Sequence, residues 1–392
     1  MTSGVLLVAD FQLTQAQRAY TARLRELAAE QLVPLVAAGP AGRVNRPLIR
    51  ELGRLGLLRD LFGGAADEPP RAAAAMQLCL LRESLAQVSG DAETALALQG
   101  LGSYPILQAG RPELVDRWIP AVIAGDAVAA FALSEPQAGS DAAALELSAE
   151  PDGDGWRLTG QKAWISNAPE ADVYAVFART TPGARARGIT AFAIDGGQPG
   201  LTGEHVDMLA PHPIGRLTFD GVRVDAGAVL GEVGDGFRVA MRTLDVFRPS
   251  VGAFAIGMAQ AALDATIEHV RTREVFGGPL AAQQAVAHRL ADLATKLEAS
   301  RMLVYAAASA IDGGCDPHEQ TQRSAMAKLF ATESAQEIVD GCVQLHGAAA
   351  LQRGHLLEHL YRDVRSLRIY EGASEIQRTI IARELFGKRR DA

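Results

Sequence analysis

The chain has 392 residues, of which 48% are hydrophobic and 21% are charged. Its length predicts two or three domains, and its composition is sufficient for a large buried core. A net charge of −8 argues against a nucleic-acid partner, which requires a basic face. No run of 18 apolar residues occurs, so we expect no membrane span. The three widely separated cysteines, Cys79, Cys315 and Cys342, are expected to be buried, reduced thiols of a cytoplasmic protein.

Residues 1–127 are predicted to form an N-terminal helical domain. Thr14 is a suitable N-cap for a first helix, which we expect Pro34 to stop. The Gly- and Pro-rich segment 63–70 predicts a loop between the second and third helices. The apolar periodicity predicts further helices over 48–58, 72–88 and 113–123.

Residues 128–235 are predicted to form a β domain. Apolar residues alternate over 145–149, and the Asp-Gly-Asp-Gly sequence at 152–155 predicts a hairpin turn into the strand that follows. Short strands without intervening helices indicate an antiparallel barrel or sandwich. Further segments rich in β-branched and aromatic residues predict strands over 173–179, 189–194 and 217–224.

Residues 236–392 are predicted to form a C-terminal four-helix bundle. An apolar stripe recurs at Val286, Leu290, Leu293 and Leu297, the spacing of one buried helix face. The fold class is therefore mainly α with a central β domain. The four helices are expected over 237–273, 281–312, 317–346 and 354–369.

The most informative stretch is Tyr370-Glu371-Gly372, near the C-terminus. The glycine lets a ligand approach the backbone closely, and the aromatic ring shields the carboxylate from water. Desolvation raises the pKa of a carboxyl group and makes it a better base. Glu371 is therefore the candidate catalytic base.

Several other motifs, taken with this turn, resemble the acyl-CoA dehydrogenase family in content, order and spacing. The resemblance extends over about residues 13–387, and the position of the glutamate matches the medium- and short-chain members. The motifs are 131–141 (FALSEPQAGSD), 160–168 (GQKAWISNA), 273–280 (REVFGGPL) with Gln284, and 344–348 (QLHGA).

The resemblance implies FAD-dependent α,β-dehydrogenation of an acyl-CoA thioester to the trans-2-enoyl-CoA. Glu371 would abstract the Cα proton while flavin N5 takes the Cβ hydride. The backbone N–H of Glu371 and a flavin ribityl hydroxyl would bind the thioester carbonyl. Some relatives hold the base at the position of Phe247, which offers no carboxylate here. The flavin is expected between the β domain and the C-terminal bundle.

The remaining site residues are assigned by the same resemblance. The isoalloxazine ring would be contacted by Phe131, Leu133, Ser134, Ser140, Trp164 and Ser166. The FAD pyrophosphate and adenine would be held across a subunit boundary by Arg273, Phe276, Gln284, Gln344, Gly347 and Ala348. Ala373 stands where threonine is common in the family, and Glu375 is assigned to the adenine side. The substrate would be bound by Ser140, Asp245, Arg248, Tyr370 and Gly372.

The resemblance also implies a homo-oligomer, with a tetramer expected, and an electron-transferring flavoprotein as the acceptor. An acyl-CoA oxidase and a dehydrogenase of carrier-protein thioesters remain open alternatives. Phe247 favours a short or branched acyl group. No metal is expected, although His355 and His359 match the H-x-x-E-H motif of zinc hydrolases. A scaffold that has lost its activity is a further alternative, against which Glu371 argues.

Overall fold

The computed structural model describes residues 12–64 and 68–386. The first helix, α1 (Gln15–Leu27), begins where predicted, because the side chains of Thr14 and Gln17 each accept the other's backbone N–H. Pro34 does not stop the helical run, and that prediction was wrong. A π-helical turn (Ala28–Leu32) continues into α2 (Val33–Ala38), which places Pro34 in the first turn of α2. A helix has no intrahelical acceptor for the N–H groups of its first turn, so proline is tolerated there.

The N-terminal domain contains one long helix that the sequence did not predict, α5 (Gly90–Ala109). Most of its residues are buried on all sides, so no amphipathic pattern marks it. Gly102 lets α5 pack closely, since a Cβ there would lie 2.5 Å from the Ala129 carbonyl carbon. Two short strands pair antiparallel at the two ends of the predicted loop 63–70, β1 (Phe62–Gly63) and β2 (Arg71–Ala72). The other helices are α3 (Arg46–Arg54), α4 (Ala75–Ala86), α5 (Gly90–Ala109) and α6 (Pro112–Ala124).

The central β domain is confirmed, and its sheet is mixed rather than wholly antiparallel. The strands are β3 (Ala129–Ala132), β4 (Ser148–Asp152), β5 (Gly155–Ser166), β6 (Val173–Arg179), β7 (Ile189–Asp195), β8 (Leu201–His205), β9 (Ile214–Asp225) and β10 (Val229–Leu230). They lie in the order β10-β7-β6-β4-β5-β9-β8, with β3 also paired to β6. Both β3 and β4 run parallel to β6 where they pair with it.

The C-terminal part is helical, as predicted, but its last helices differ from the prediction. The fourth helix, α10 (Leu356–Val364), is shorter than predicted and continues as a 3-10 turn (Arg365–Arg368). A separate helix, α11 (Ser374–Phe386), follows the Tyr-Glu-Gly turn. The elements are α7 (Gly236–Thr272), the hairpin β11 (Glu274–Val275) and β12 (Gly278–Pro279), α8 (Gln284–Asp312), α9 (Pro317–His346), α10 (Leu356–Val364) and α11 (Ser374–Phe386).

The 37-residue helix α7 connects the sheet to the bundle. Its first residue, Gly236, packs so closely on β7 that a Cβ would lie 2.4 Å from the Thr190 carbonyl carbon. Pro249 has no N–H to donate to the Asp245 carbonyl, which instead accepts from Ser324 Oγ of α9 at 3.3 Å. By length and composition α7 could cross a membrane, yet 72% of its most apolar stretch is buried inside the fold.

The three cysteines are free thiols, as predicted. Cys79 and Cys342 are buried, whereas Cys315 is only partly buried. Burial raises the pKa of Cys342 to about 11, so this thiol stays protonated at neutral pH.

Candidate active site

The Tyr-Glu-Gly turn is held by side chains from three helices. Glu371 has a φ of +51° and Gly372 a φ of +96°, so two successive residues adopt left-handed backbone conformations. Lys328 Nζ of α9 donates to the Gly372 carbonyl at 2.8 Å, and Gln377 Nε2 of α11 does so at 2.9 Å. Arg248 Nε of α7 donates to the Glu371 carbonyl at 3.4 Å. These contacts fix the backbone that carries the candidate base.

The Glu371 carboxylate is poised to accept a proton. Its Oε2 is buried and has no hydrogen-bond partner within the described residues. Burial raises the pKa of Glu371, although the positive charges of Arg82, Lys328 and Arg248 oppose the shift. Across residues 12–64 and 68–386, the backbone N–H of Glu371 also has no acceptor. A free base and a free hydrogen-bond donor therefore belong to one residue.

A closed apolar wall surrounds Phe247, the alternative position considered for the base. Phe247 of α7 is 1% exposed, and its ring meets that of Tyr104 edge-to-face at 5.3 Å. A Cβ on Gly100 would lie 2.9 Å from the Phe247 ring, so only glycine leaves space for it. The nearest acid, Asp245, pairs with Arg248 at 2.6 Å and is not free to serve as a base.

A second part of the site is the aromatic face of β5. Trp164 is 49% exposed although it lies within a strand, and its φ is +61°. The pairing of β5 with β9 is irregular between Lys162 and Ile165, which turns the indole outwards. The guanidinium of Arg216 lies 5.9 Å from the indole ring centroid. This strand therefore presents a large flat apolar surface to a ligand.

Beneath this face, a buried ion pair fixes the turn that follows β3. Lys162 Nζ lies 2.8 Å from Glu135 Oε1 and donates to the Leu133 carbonyl at 2.9 Å. The Glu135 carboxylate also accepts the backbone N–H groups of Glu146 and Leu147 at 2.6 and 2.9 Å. Burial lowers the pKa of Lys162 to about 8.

The polar groups predicted around the flavin ring lie at the rim of this face. The Ser134 carbonyl accepts the Ala163 N–H at 3.0 Å, and Ser166 Oγ lies 2.8 Å from His212 Nε2. Burial lowers the pKa of His212 to about 4, so its imidazole is neutral at pH 7. Phe131 packs its ring on Phe177 at 4.9 Å, while Leu133 is buried and Ser140 is exposed.

A third group of predicted residues lies at the far ends of α7, α8 and α9. Phe276, at the tip of the β11–β12 hairpin, is 97% exposed and has a φ of +51°. Within the described part of the chain, no hydrogen bond, ion pair or ring contact joins this group to the Trp164 face. The exposed members are Arg273, Phe276, Gln284, Gln344, Gly347 and Ala348.

Family models match almost the whole chain. The N-terminal domain of acyl-CoA dehydrogenases matches residues 14–126, the middle domain 130–222 and the C-terminal domain 234–386. The chain belongs to the acyl-CoA dehydrogenase family.

Relatives of this dehydrogenase cover nearly its whole length. Cyclohexane-1-carbonyl-CoA dehydrogenase of Geobacter metallireducens is 35% identical over 384 residues, 96% of this chain and 98% of the relative. Butyryl-CoA dehydrogenase of Megasphaera elsdenii has a similar structure, with a TM-score of 0.89 and 32% identity over 96% of this chain and 100% of the other. A glutaryl-CoA dehydrogenase of Mycobacterium smegmatis, solved with FADH2, has a TM-score of 0.87 and 28% identity over 99% and 98%.

The dehydrogenase is accordingly an FAD-containing oxidoreductase that acts on acyl-CoA thioesters and takes part in electron transfer as a flavoprotein. The residues of the Trp164 face are suited to bind FAD. The half-exposed Trp164 offers an apolar surface for an isoalloxazine ring, and backbone and hydroxyl groups at 134 and 166 lie along its rim. FAD, when bound, supplies the two-electron acceptor.

The predicted substrate residues Arg248 and Asp245 lie behind the turn. Arg248 is 5% exposed, and its guanidinium contacts Asp245 and the Glu371 carbonyl. In this position Arg248 supports the backbone of the candidate base, and its role in substrate binding stays a prediction. Tyr370, Gly372 and Ala373 form the turn itself, and Glu375 is exposed on α11.

Sequence reasoning missed three charged residues that surround the base, Lys328, Arg82 and Glu93. All three are almost fully buried. A signal was present, because Arg82 and Glu93 interrupt helices that are otherwise mainly apolar. A charged residue among apolar neighbours is costly to bury unless it is paired or has a function.

The side chains of His355 and His359 in the described structure are not arranged as zinc ligands. His355 is the N-cap of α10, where its Nδ1 accepts the Leu357 N–H at 3.1 Å. His359 Nε2 instead faces Asp363 at 3.0 Å. Among the described residues, no group of three His, Cys, Asp or Glu side chains is arranged to hold a metal.

Proposed function

We propose that the protein oxidises a short or branched acyl-CoA, with Glu371 as the base. Glu371 Oε2, which is buried and has no hydrogen-bond partner among the described residues, is the observation that carries this proposal. It would accept the Cα proton, while the free N–H of the same residue donates to the thioester carbonyl and stabilises the charge that develops there. Lys328, Arg248 and Gln377 keep both groups in place through the carbonyls of the turn.

The packing of Phe247 supports the choice of acyl group. Its buried ring packs against Gly100 and Tyr104. In this proposal it would close one side of the space in front of the base. Two of the three relatives described above are named for a butyryl and for an alicyclic thioester, both compact acyl groups.

A panel of acyl-CoA thioesters tests this proposal. Butanoyl-, 2-methylpropanoyl-, cyclohexanecarbonyl- and palmitoyl-CoA would each be mixed anaerobically with the FAD-loaded protein, and flavin reduction followed by absorbance. We expect compact thioesters to reduce the flavin and palmitoyl-CoA to fail. Reoxidation assays with electron-transferring flavoprotein and with oxygen then test our proposal that the former is the acceptor, because rapid reoxidation by oxygen would indicate an oxidase.

The rate of flavin reduction should depend on pH through Glu371. Only the ionised carboxylate can accept a proton, and burial raises its pKa above the ordinary value of about 4.3. We therefore expect kcat/KM to rise with pH and to level off above the raised pKa of the free enzyme. Stopped-flow measurement of flavin reduction over a series of pH values gives this profile. A profile with its midpoint at or below the ordinary glutamate pKa would contradict the assignment.

We further propose that the FAD site is completed by a second subunit, in a homotetramer. Among the described residues, no hydrogen bond, ion pair or ring contact joins the exposed group around Arg273 and Phe276 to the Trp164 face. A phenylalanine that is 97% exposed suits an interface. Light scattering of the flavin-loaded protein tests the oligomeric state. A flavin-loaded monomer would contradict the proposal.

Arg273→Ala should weaken FAD retention by about tenfold or more, because a charge-assisted hydrogen bond to a phosphate is lost. Arg271→Ala is the control, since Arg271 is also exposed at the end of α7 and is assigned no ligand. Equilibrium dialysis against FAD measures retention. Equal affinities in the two variants would remove Arg273 from the FAD site.

A further inference from the structure

A second buried carboxylate lies near the base. Glu93 of α5 is fully buried; its Oε1 accepts from Arg82 Nε of α4, while its Oε2 has no partner at hydrogen-bonding distance in the described chain. Arg82, which is 3% exposed, also donates from Nη1 to Ser250 Oγ of α7 at 2.8 Å. Ser250 Oγ in turn donates to the Phe247 carbonyl at 2.7 Å.

This cluster belongs to the same space as Glu371. Ser250 follows Arg248 by two residues on α7, and Arg248 contacts the Glu371 carbonyl. The charge of Arg82 lowers the pKa of Glu371, and the charge of Glu371 raises that of Glu93. Phe247, whose carbonyl accepts from Ser250, also packs its ring on Gly100, which lies two helical turns after Glu93 on α5. The cluster therefore borders the Phe247 side of the acyl space proposed above.

Two hydrogen-bonding atoms of the pair are unused. Glu93 Oε2 is buried without a partner, and Arg82 Nη2 donates to no residue among those the structure describes. Leaving the carboxylate oxygen unpaired in the interior is costly, and an ion pair that served only to join helices would be expected to use it. One unused acceptor and one unused donor on adjacent side chains match a ligand group that can donate and accept at once.

The charges of the site select among such groups. A carboxylate on the ligand would face both Glu93 and Glu371, and an ammonium would face Arg82. A methyl group would leave both polar atoms unpaired. A neutral hydroxyl can accept from Arg82 Nη2 and donate to Glu93 Oε2 without adding charge.

We propose that Arg82 and Glu93 form a specificity site for a hydroxyl group on the acyl chain, beyond the Cα–Cβ bond that is oxidised. The inference rests on the proposed function, since it requires the acyl chain to lie against Glu371. It differs from the preference expressed in the name of the glutaryl-CoA dehydrogenase relative, whose substrate ends in a carboxylate.

Matched thioesters test the proposal in the wild-type holoenzyme. We would compare flavin reduction by 4-hydroxybutanoyl-CoA with pentanoyl-CoA, and by 5-hydroxypentanoyl-CoA with hexanoyl-CoA, so that a hydroxyl replaces a methyl of similar size. At least one hydroxyacyl-CoA should have a kcat/KM about tenfold or more above its partner, as expected for a hydrogen bond to a charged group. A preference for the methyl partner in both pairs would overturn the proposal.

The double variant Arg82→Met with Glu93→Leu tests the residues themselves. Replacing both members of a buried pair by apolar side chains of similar volume is often tolerated, whereas removing one is not. The selectivity should reverse to favour the methyl partner. An unchanged ratio of the two kcat/KM values would show that the pair is purely structural.

A second ion pair on α4 provides the control. Glu83 pairs with Arg301 at 2.9 Å and accepts from Tyr305 at 2.7 Å, away from the base. Glu83→Leu with Arg301→Met should leave the ratio of kcat/KM for the hydroxyacyl-CoA and its methyl partner unchanged. If this control variant also reversed the preference, the assignment to Arg82 and Glu93 would be overturned. A strong preference for glutaryl-CoA over all four thioesters would also overturn it. If butanoyl-CoA and all the others fail to reduce the flavin, the proposed function itself is contradicted.

Discussion

Glu371→Gln is expected to slow reduction of the flavin by an acyl-CoA by about 10²–10⁴-fold, the usual cost of removing a general base. Glutamine keeps the shape of the side chain and the backbone contacts of the turn, but it cannot accept the Cα proton. FAD and the thioester should still bind. Anaerobic stopped-flow measurement of flavin absorbance isolates this half-reaction from any electron acceptor.

The same variant separates catalysis from stability. Folding raises the pKa of Glu371, so the folded state binds this proton more readily than the unfolded state does. The ionised carboxylate therefore destabilises the fold as pH rises from the unfolded pKa through the folded one, and the loss remains at higher pH. Glu371→Gln should thus be at least as stable as wild type at pH 7.

The catalytic assignment has its own contrary outcome. If an acyl-CoA reduces the flavin of Glu371→Gln as fast as that of wild type, Glu371 is not the base.

Lys162→Met is expected to cost about 3–5 kcal/mol of unfolding free energy, the range for breaking a buried ion pair by removing one partner. Both Lys162 and Glu135 are almost fully buried. The variant leaves the carboxylate with two backbone N–H donors but without its cation, and it frees the Leu133 carbonyl. Urea unfolding monitored by circular dichroism measures the change.

A surface ion pair of the same turn is the control for this measurement. Arg185 and Asp141 lie 3.0 Å apart with side chains 69% and 60% exposed. Arg185→Ala should cost no more than about 1 kcal/mol, because water screens exposed charges. FAD retention is a second readout, since the Lys162 pair underlies the turn beside Trp164. Equal losses of stability in the two variants would show that the buried pair is not a major support of the fold.

The helical and β parts, and the motif that carries the base, could be predicted because local signals and global fold agree there. The box of Thr14 and Gln17 begins α1 as expected. The predicted strand 173–179 coincides with β6. The Tyr-Glu-Gly motif has a distinctive composition, so it can be recognised from its own residues without knowledge of distant contacts.

The failures have a different origin. Helix α5 is buried on nearly all sides, so its sequence carries no amphipathic pattern. Pro34 was expected to end a helix, but a π-helical turn before it places it where proline is tolerated. Lys328 and Glu93 reach the site from helices distant in sequence, and nothing in their neighbours shows which face of each helix meets Glu371.

The long helix α7 has a consequence for how the site can open. At 1.5 Å per residue its 37 residues extend about 55 Å. Gly236 fixes its start on the sheet without room for a methyl group, Arg248 and Ser250 reach the site from its middle, and its far half forms the bundle core. One continuous helix thus links the flavin-facing domain to the acyl space, so a hinge between these domains would have to break it. We expect substrate entry to be governed by side-chain rotation and by short turns, on faster timescales than domain closure.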